Sequence, residues 1–412
     1  MKYDSIIIGG GLSGLTAGIR LVSAGKKVAI ITSGQSALHF SSGSMSLLNR
    51  IDGRQVCDPL QAIATLPPAH PYQKIGVGNI HDFAAEATMI LRRAGLDVEG
   101  SPEAHRYCLT PFGVWQPAWL TVKDIASCSH PSRCTWRKAA IVNFKGYLDF
   151  HPGYLADGLA TAGIASESYE IELPQLAALR KSCSGMRAAS VARILEGKAV
   201  SDLAQAIRKI KSDADVLLLP AVVGLRSDAP ANLLASLVDI PVRYVPVIPM
   251  SVTGVRAEFL MRRRFESLGG AYFLGDSVNK GNFENNRLIS VNTVNLGETP
   301  LRADEFLIAT GSFFSQGLVA KPDAVIEPVF GLDVVQSEKR TSRCDIDFFA
   351  PQPYMRFGVV TDSRFRVSRN GSVVTNLRAV GSILSGADSL NEGSGAGIAL
   401  LTAVAAARQI LQ

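Results

Sequence analysis

The chain has 412 residues, of which 47% are hydrophobic and 19% are charged. It carries 42 Lys and Arg against 36 Asp and Glu, which gives a formal net charge of +6. This length allows two packed domains with a core large enough to bury a cofactor. The mild basic excess is spread along the chain, which argues against a nucleic-acid-binding protein and is weak evidence for an anionic ligand.

Cysteine content and apolar runs indicate the cellular compartment of the protein and whether it has a transmembrane segment. Six cysteines are few for this length and lack the close pairing of a secreted disulfide scaffold, so we expect a reducing, cytoplasmic compartment. The N-terminus runs from a strand pattern directly into glycines, unlike a signal peptide. The apolar stretch 397–407 ends at Arg408 and is shorter than the roughly 18 residues of a membrane span. We therefore expect no transmembrane segment.

The N-terminal segment has the pattern of a βαβ unit. Residues 4–8 are an isoleucine-rich run, 12–24 have apolar residues at helical spacing, and 27–31 form another short apolar run. Parallel strands that are buried on both faces have such continuous apolar runs. The segment predicts an α/β fold with a parallel sheet.

A glycine motif lies between the first strand and the first helix. Gly9, Gly11 and Gly14 form G-x-G-x-x-G, in which the glycines allow a tight turn, phosphate approach and close helix packing. Leu12 and Ser13 begin the helix, whose N-terminal N–H groups attract a phosphate. In this strand–turn–helix context the motif predicts a nucleotide site rather than a structural glycine turn.

The second strand ends without the carboxylate that usually holds an adenosine ribose about 20 residues after the motif. Thr32 and Ser33 occupy that place. A hydroxyl makes one hydrogen bond but not the charge-assisted bidentate contact of Asp or Glu. We include both residues in the predicted site, and the substitution weakens the case for an adenosine-bearing cofactor.

Three further small-residue segments distinguish a flavin site from a nicotinamide site. The first follows a strand at 305–309, the second follows a strand at 377–380 and leads into the last helix, and the third follows the second strand. The predicted flavin-binding residues in these segments are Ala309, Thr310 and Gly311; Gly381, Ser382, Gly393, Ser394, Gly395 and Ala396; and Ser41, Ser42, Gly43 and Ser44. Each alone could be an ordinary glycine loop, but their order along the chain strengthens the joint prediction.

The intervening segments lack regular strand–helix alternation and have proline-rich patches, which indicates an inserted domain. We predict a discontinuous Rossmann-like FAD/NAD(P)-binding domain over 1–45, 212–316 and 371–412. Residues 46–211 and 317–370 would form an α+β cap or substrate domain.

With these residues identified, the chain resembles the B-subunit family of anaerobic glycerol-3-phosphate dehydrogenase over its whole length. The most specific passages are DSIIIGGGLSGLTAGIRL (4–21), SALHFSSGSMSLL (36–48), VPVIPMSVTGVR (Val245 to Arg256) and NEGSGAGIAL (391–400). The resemblance to two-dinucleotide-binding flavoproteins implies that the last helix points its N-terminus at the flavin ring, where its dipole would favour the reduced form.

The resemblance also implies partners and a reaction. In that family a catalytic flavoprotein, the A subunit, and the B subunit dock on an iron–sulfur C subunit at the inner face of the cytoplasmic membrane. The complex oxidises sn-glycerol 3-phosphate to dihydroxyacetone phosphate and passes electrons to quinone, then to fumarate or nitrate. The B subunit is assigned FMN, which suits the missing carboxylate at Thr32. FAD is the alternative, because a G-x-G-x-x-G turn normally holds a pyrophosphate.

Other candidate residues support neither catalysis nor metal binding. Cys128, His130 and Cys134 do not match zinc or iron–sulfur spacings, so we interpret the cysteines as loop residues. His39 precedes the serine-rich segment, but a lone histidine is more often structural. We expect no catalytic residue and no metal site in this chain, which fits an electron relay.

Two alternatives stay open at the level of sequence. The chain could be a self-sufficient flavin-dependent dehydrogenase or reductase with its substrate bound under the cap. It could also be a cofactor-free scaffold whose glycine loops only pack.

Overall fold

The computed structural model describes residues 2–182 and 185–412. Its strands, in chain order, are β1 (Lys2–Ile8), β2 (Val28–Thr32), β3 (Ser44–Met45), β4 (Arg50–Ile51), β5 (Arg54–Gln55), β6 (Val98–Gly100), β7 (Arg106–Leu109), β8 (Trp115–Ala118), β9 (Leu120–Val122), β10 (Ser127–Cys128), β11 (Lys138–Phe144), β12 (Ala165–Ile171), β13 (Val216–Pro220), β14 (Val242–Val245), β15 (Ala271–Leu274), β16 (Val278–Glu284), β17 (Arg287–Thr293), β18 (Leu301–Ile308), β19 (Val319–Ala320), β20 (Val325–Ile326), β21 (Val334–Val335), β22 (Gly358–Val359), β23 (Arg366–Arg369) and β24 (Ser372–Ala379).

The α-helices of the described residues alternate with these strands. They are α1 (Leu12–Ser23), α2 (Pro59–Ile63), α3 (Pro71–Ile75), α4 (Ile80–Arg93), α5 (Pro152–Thr161), α6 (Ala188–Ile194), α7 (Lys198–Arg208), α8 (Ala229–Leu237), α9 (Val252–Ser267), α10 (Ser389–Glu392) and α11 (Gly395–Leu411).

The chain divides into two compact units. The first unit contains the described residues up to Ala37 together with Ser46–Ala94 and Met261–Gln412, and the second unit contains Leu38–Met45 and Gly95–Leu260. Each unit has a parallel sheet of its own.

The first unit has a parallel sheet in the order β15-β2-β1-β18-β24. β18 pairs with β24 only over Phe306 to Ile308, while its first residues pair antiparallel with β17. The strand order reverses between β1 and β18, and ligands of open α/β sheets bind at the carboxyl ends of the strands at such a point. The predicted α/β, Rossmann-type fold class is therefore confirmed.

Apolar side chains explain why these strands form the core. Ile6, Ile7 and Ile30 are fully buried, as a parallel strand covered on both faces requires. Gly18 lets α1 approach the sheet, because a Cβ there would lie 2.8 Å from Ile30 Cδ1. α11 packs beside α1 and α4, and all of its residues from Gly397 through Ala407 except Ala399 are buried.

The apolar stretch 397–407 is thus a core helix. Among the described residues, no helix has both the length and the apolar character needed to cross a bilayer.

The second unit has a parallel sheet in the order β12-β11-β13-β14. α5 connects β11 to β12, α6 and α7 connect β12 to β13, and α8 connects β13 to β14. Two three-stranded sheets, β10-β7-β8 and β3-β9-β6, complete the unit.

The compact units group four stretches differently from the predicted domains. Residues 46–94 and 317–370 lie in the first unit, where α4 packs on α1 and α11 and Val359 of β22 bridges Leu384. Residues 38–45 and 212–260 lie in the second unit, where β13 pairs with β11 and β14 pairs with β13.

Candidate functional site

Three turns meet at the carboxyl edge of the first unit's sheet. Gly9 has φ of +109°, and a Cβ there would lie 2.3 Å from the carbonyl oxygen of Ala309. A Cβ on Gly14 would lie 1.9 Å from the carbonyl oxygen of Gly9. Both glycines are required because backbone packs directly on backbone. The turn after β1 is thereby held against the turn after β18.

The N-terminus of α1 is open to a ligand. Gly11 precedes the helix with φ −79° and ψ −170°, and no side chain caps the helix. The nearest atom to a Cβ on Gly11 would be Ser36 Cβ at 3.6 Å, so the position is not crowded. The N–H groups of the first turn, which includes Leu12 and Ser13, have no partner within the helix. They are suited to hold a phosphate.

The turn after β18 contains a buried hydroxyl without a partner. The Ala309 amide donates to the Ile8 carbonyl oxygen at 2.7 Å and continues the sheet. Thr310 Oγ1 is buried and has no hydrogen-bond partner among the described residues. Gly311 follows with φ of +80°. A buried polar atom of this kind is expected where a ligand is bound.

The turn after β24 approaches α1 closely. Gly381 has φ of +77°, and a Cβ there would lie 2.2 Å from Ser13 Oγ. Its amide donates to Thr402 Oγ1 at 2.9 Å. Thr402 was not predicted as a site residue, since nothing in its local sequence distinguishes it from the apolar residues around it. Ser382 follows Gly381 in a short 3₁₀ helix.

The N-terminus of α11 is also uncapped by a side chain. Gly393 is left-handed with φ of +60°, and Ser394 precedes the helix without a side-chain cap. Gly395 and Ala396 form the first turn. A small cavity of about 40 Å³ is lined by Gly395, Gly381 and Ser382 together with Phe313 and Phe357. The predicted residues of this segment are therefore brought beside the turn after β24.

A buried hydrogen-bond network supports this helix start. His70 Nε2 lies 3.1 Å from Glu392 Oε2, and the Ser394 hydroxyl donates to the same oxygen at 2.9 Å. The Asp388 amide donates to Glu392 Oε1 at 3.1 Å. Burial raises the pKa of Glu392, but the hydrogen bonds and charge from His70 and the amide and hydroxyl donors lower it more, so its net pKa lies below the ordinary value.

Tyr72 connects the same helix start to the chain near residue 47. Its hydroxyl donates to the Leu47 carbonyl oxygen at 2.6 Å and lies 3.3 Å from the Ser394 carbonyl oxygen. Burial and the charge of Glu392 raise its pKa well above 10.0. Neither His70 nor Tyr72 was predicted from sequence, because they are 322 residues from their partners.

The end of β2 lacks an acidic side chain, as predicted. Thr32 Oγ1 donates to the Gly34 carbonyl oxygen at 3.2 Å, and Ser33 is exposed. Tyr272, on the neighbouring β15, donates to the Gly10 carbonyl oxygen at 3.5 Å. A Cβ on Gly10 would lie 2.3 Å from the Tyr272 hydroxyl oxygen, so this phenol fills space beside the glycine turn.

The serine-rich segment Ser41, Ser42, Gly43 and Ser44 lies in the second unit. Ser42 Oγ and Ser44 Oγ are 2.6 Å apart, and Gly43 has φ of +88°. The Thr253 hydroxyl donates to the Ser41 carbonyl oxygen at 3.1 Å, and Ser44 pairs with β9. These contacts hold the segment within its own unit.

The remaining candidates have structural partners. His39 Nε2 lies 3.2 Å from Glu258 Oε2 within the second unit, where His39 is buried and Glu258 is partly buried. His130 Nδ1 lies 2.8 Å from Ser132 Oγ. Over residues 2–182 and 185–412, no group of three or more His, Cys, Asp and Glu is arranged to hold a metal ion.

The first unit therefore presents donors suited to a flavin nucleotide. Two helix N-termini carry partial positive charge without side-chain caps, and the three glycine turns leave backbone free for close approach. The Thr310 hydroxyl is a further buried polar group without a partner among the described residues. The cavity beside Gly395 is smaller than an isoalloxazine ring.

Comparison with known proteins agrees with this geometry. The FAD binding domain family matches residues 4–398. The chain is 42% identical over 417 residues to the B subunit of anaerobic glycerol-3-phosphate dehydrogenase from Yersinia pseudotuberculosis serotype I, covering 100% of this chain and 98% of that protein. It is 38% identical over 417 residues to the protein of the same name from Pectobacterium atrosepticum, covering 100% and 99%.

Among solved structures, a 3-ketosteroid Δ1-dehydrogenase from Sterolibacterium denitrificans in complex with 1,4-androstadiene-3,17-dione aligns over 99% of both chains. The sequences are 11% identical and the TM-score is 0.45. This likeness is too weak to carry an argument.

The Glu392 network predicts a pH-dependent contribution to stability. Glu392→Gln should lower the free energy of unfolding by about 2 kcal/mol at pH 7, because the buried donors lose a charged acceptor. Since the folded pKa is lowered, the stability from the ionised carboxylate is complete above the ordinary 4.5 and is lost as pH falls through the folded value.

Urea unfolding of wild type and variant between pH 7 and pH 4 measures this difference. The difference in the free energy of unfolding between the two proteins should begin to shrink below about pH 4.5. Glu298→Gln, at an exposed position, is the matched control and should leave stability unchanged at both ends of the range. If the difference in the free energy of unfolding between wild type and Glu392→Gln stayed constant with pH, an ionised Glu392 in the folded protein would be contradicted.

Proposed function

Since the chain belongs to the B-subunit family of anaerobic glycerol-3-phosphate dehydrogenase, a flavoprotein oxidoreductase family, we propose that it is the electron-relay subunit of such an enzyme. The observation that carries this proposal is the close packing of the three glycine turns beside two uncapped helix N-termini. The complex would oxidise sn-glycerol 3-phosphate to dihydroxyacetone phosphate and deliver the electrons to quinone, then to fumarate or nitrate.

The residues proposed to hold the flavin divide by role. The amides at Gly11, Leu12 and Ser13 would hold a phosphate, with Gly9 and Gly14 allowing the turn. The start of α11 at Gly393, Ser394, Gly395 and Ala396 would face the polar edge of the ring. Ala309, Thr310, Gly311, Gly381 and Ser382 would line the space between, with Thr32 and Ser33 at the far end. Ser41, Ser42, Gly43 and Ser44 belong to the second unit, and their role in flavin binding stays a prediction from the sequence.

A bound flavin supplies a carrier that exchanges electrons in pairs or singly. The chain supplies position and electrostatics. The partial positive charge at Gly395 favours negative charge on a ring edge placed there. His70, Tyr72 and Ser394 hold Glu392 and the α11 start in one arrangement. A relay needs no acid–base residue of its own.

FAD is the cofactor that we propose, in place of the FMN preferred from sequence. The match to the FAD binding domain family supports FAD, and so does a G-x-G-x-x-G turn, which suits a pyrophosphate. Thr32, at the end of β2, and Tyr272 beside Gly10 are the features that favour FMN. With FAD bound, the ribose contact would come from a hydroxyl rather than a carboxylate.

We further propose that the partners are the catalytic A subunit and the iron–sulfur C subunit of the complex that the family resemblance implies. The family name, a B subunit, indicates a multi-subunit complex. In the first unit, Ile346, Phe348 and Phe349 are 83% exposed or more, an apolar loop that we call the 346–349 patch. Exposed apolar clusters mark interaction surfaces. Through the iron–sulfur partner the chain would reach the inner face of the cytoplasmic membrane.

The alternative function is a self-sufficient flavin dehydrogenase. A relay protein lacks its own substrate oxidation site, so the isolated flavin-loaded chain should show no steady turnover of glycerol 3-phosphate with an artificial electron acceptor. Addition of the catalytic A subunit should restore turnover. Rapid steady turnover by the isolated chain, measured by dye reduction, would favour the alternative.

Gly11→Val should remove the flavin without unfolding the chain. The extended backbone at Gly11 suits a β-branched residue and a Cβ has room there, but the side chain would cover the amides of the first turn. Loss of charge-assisted hydrogen bonds should weaken flavin binding at least about tenfold. Absorbance per chain, with acid release and chromatography of the flavin, gives both content and identity.

Gly34→Val is the matched control, because nothing lies within 4 Å of its Cβ position. It should retain FAD. Recovery of FMN alone from wild type would contradict FAD, and recovery of no flavin would contradict the flavoprotein function. Full flavin content in Gly11→Val would overturn the proposed phosphate site.

The double substitution Phe348→Ser and Phe349→Ser should reduce capture of the two partners. Removal of two exposed aromatic side chains from an interface should lower affinity at least about tenfold, while flavin content stays unchanged. Co-expression with the A and C subunits followed by affinity purification of this chain measures partner recovery. Leu148→Ser, an exposed apolar residue of the second unit, is the control. Equal recovery from all three proteins would exclude the 346–349 patch as an interface.

A further inference from the structure

The second unit contains a cavity that is not part of the proposed flavin site. Its volume is about 380 Å³, within the range of small-molecule sites. One wall is the face of α8 at Ala231 and Ala235, and another is the edge of β14. The remaining walls come from residues 122–124 and from α9 at Arg256.

Three polar side chains at the base of this cavity have unused hydrogen-bonding atoms. Arg256 and Tyr244 are each only 3% exposed. Arg256 Nη2 lies 3.5 Å from Asp124 Oδ2. The other atoms of these groups, Arg256 Nη1, Asp124 Oδ1 and the Tyr244 hydroxyl oxygen, are buried and have no hydrogen-bond partner among the described residues. Leaving such atoms unpaired costs about 1–3 kcal/mol each, so a molecule that paired with them would be stabilised.

Backbone contacts hold these side chains in place. The Tyr244 amide donates to the Asp124 carbonyl oxygen at 2.8 Å, and the Ala126 amide donates to the Tyr244 carbonyl oxygen at 2.8 Å. Gly224 has φ of +79°, and a Cβ there would lie 3.0 Å from Arg256 Nη1. The guanidinium therefore packs against the turn after β13. A site whose polar groups are fixed before binding is pre-organised.

The charges around the cavity balance. Lys123 and Asp97 at the mouth form an ion pair at 3.4 Å, and Arg243 and Asp228 also line the opening. With Arg256 and Asp124 at the base, the lining has as many carboxylates as cations. Such a lining gives no net attraction to an anion such as phosphate. It suits a neutral ligand that both donates and accepts hydrogen bonds.

Burial raises the pKa of Tyr244 well above 10.0, and the charge of Asp124 raises it further. The phenol is therefore protonated at neutral pH and can donate. The base of the cavity thus offers a guanidinium donor, a phenol that donates or accepts, and a carboxylate acceptor.

We propose that this cavity binds a small neutral polyol through a pair of adjacent hydroxyl groups. One hydroxyl accepts from Arg256 Nη1 and donates to Asp124 Oδ1, and its neighbour pairs with the Tyr244 hydroxyl. This cavity is separate from the proposed flavin site. A negative result for polyol binding can therefore be distinguished from a negative result for the relay function, which is measured by flavin content and electron transfer.

The first experiment is ligand-observed NMR on the flavin-loaded chain with glycerol, glycerol 3-phosphate and inorganic phosphate as separate probes. Glycerol is expected to bind. Binding of glycerol 3-phosphate as well as glycerol would support the proposal and show that a phosphorylated polyol can offer the same pair of hydroxyl groups. Binding of inorganic phosphate, or of glycerol 3-phosphate without glycerol, would overturn the proposal in favour of an anion site. Absence of binding by all three would also overturn it.

Variants locate the binding. Ala235→Phe, on the exposed wall of α8, should fill the cavity and abolish glycerol binding. Ser236→Phe, an exposed neighbour outside the lining, should leave it unchanged. Glycerol binding that survives Ala235→Phe would place the ligand elsewhere and overturn the proposal.

Two conservative variants test the chemistry. Tyr244→Phe should weaken glycerol binding roughly three- to tenfold while unfolding at the same or a higher temperature, because it removes a hydroxyl that is unpaired in the free protein. Asp124→Asn should also weaken glycerol binding, since it removes the charged acceptor. If the cavity were an anion site, the same substitution would instead tighten anion binding, because it removes a negative charge. Unchanged binding in both variants, or tighter binding in Asp124→Asn, would contradict the diol contact.

Discussion

The first unit depends on one packing constraint, the contact of backbone with backbone at the carboxyl edge of its sheet. A side chain at Gly9 would overlap the Ala309 carbonyl, and one at Gly14 would overlap the carbonyl of Gly9. Because only glycine fits, the turn after β1 can lie against the turn after β18 at the point where strand order reverses. The N-terminus of α1 is thereby placed at the sheet edge. A third glycine, Gly381, extends the contact to the strand that precedes the last helix.

The features that depend on local sequence were predictable. The βαβ pattern and the glycine motif identified β1, α1 and β2 with boundaries within a few residues of the structure. The last helix was also predicted to follow the strand at 377–380, and in the structure it begins at Gly395. The missing carboxylate at Thr32 was also correctly identified, but the position of Tyr272 beside Gly10 was not, because that contact joins residues 262 positions apart.

The features that depend on distant contacts were not predictable from one sequence. His70 and Glu392 are 322 residues apart, and although Glu392 lies in the passage 391–400, His70 lies in no motif. The pairing of β13 with β11 and of β14 with β13 placed residues 212–260 in the second unit, whereas an apolar strand pattern alone fits either sheet. The cavity at Arg256 likewise arises from β14, α8 and α9 together. In each case the sequence pattern specifies an element but not its neighbour.

We propose that the N-termini of α1 and α11 hold opposite ends of one flavin. A crystal structure of the purified, flavin-containing chain would show where the flavin lies. We expect a phosphate within hydrogen-bond distance of the Leu12 and Ser13 amides and the polar edge of the ring at the Gly395 amide. A flavin bound away from both helix starts would overturn the proposal.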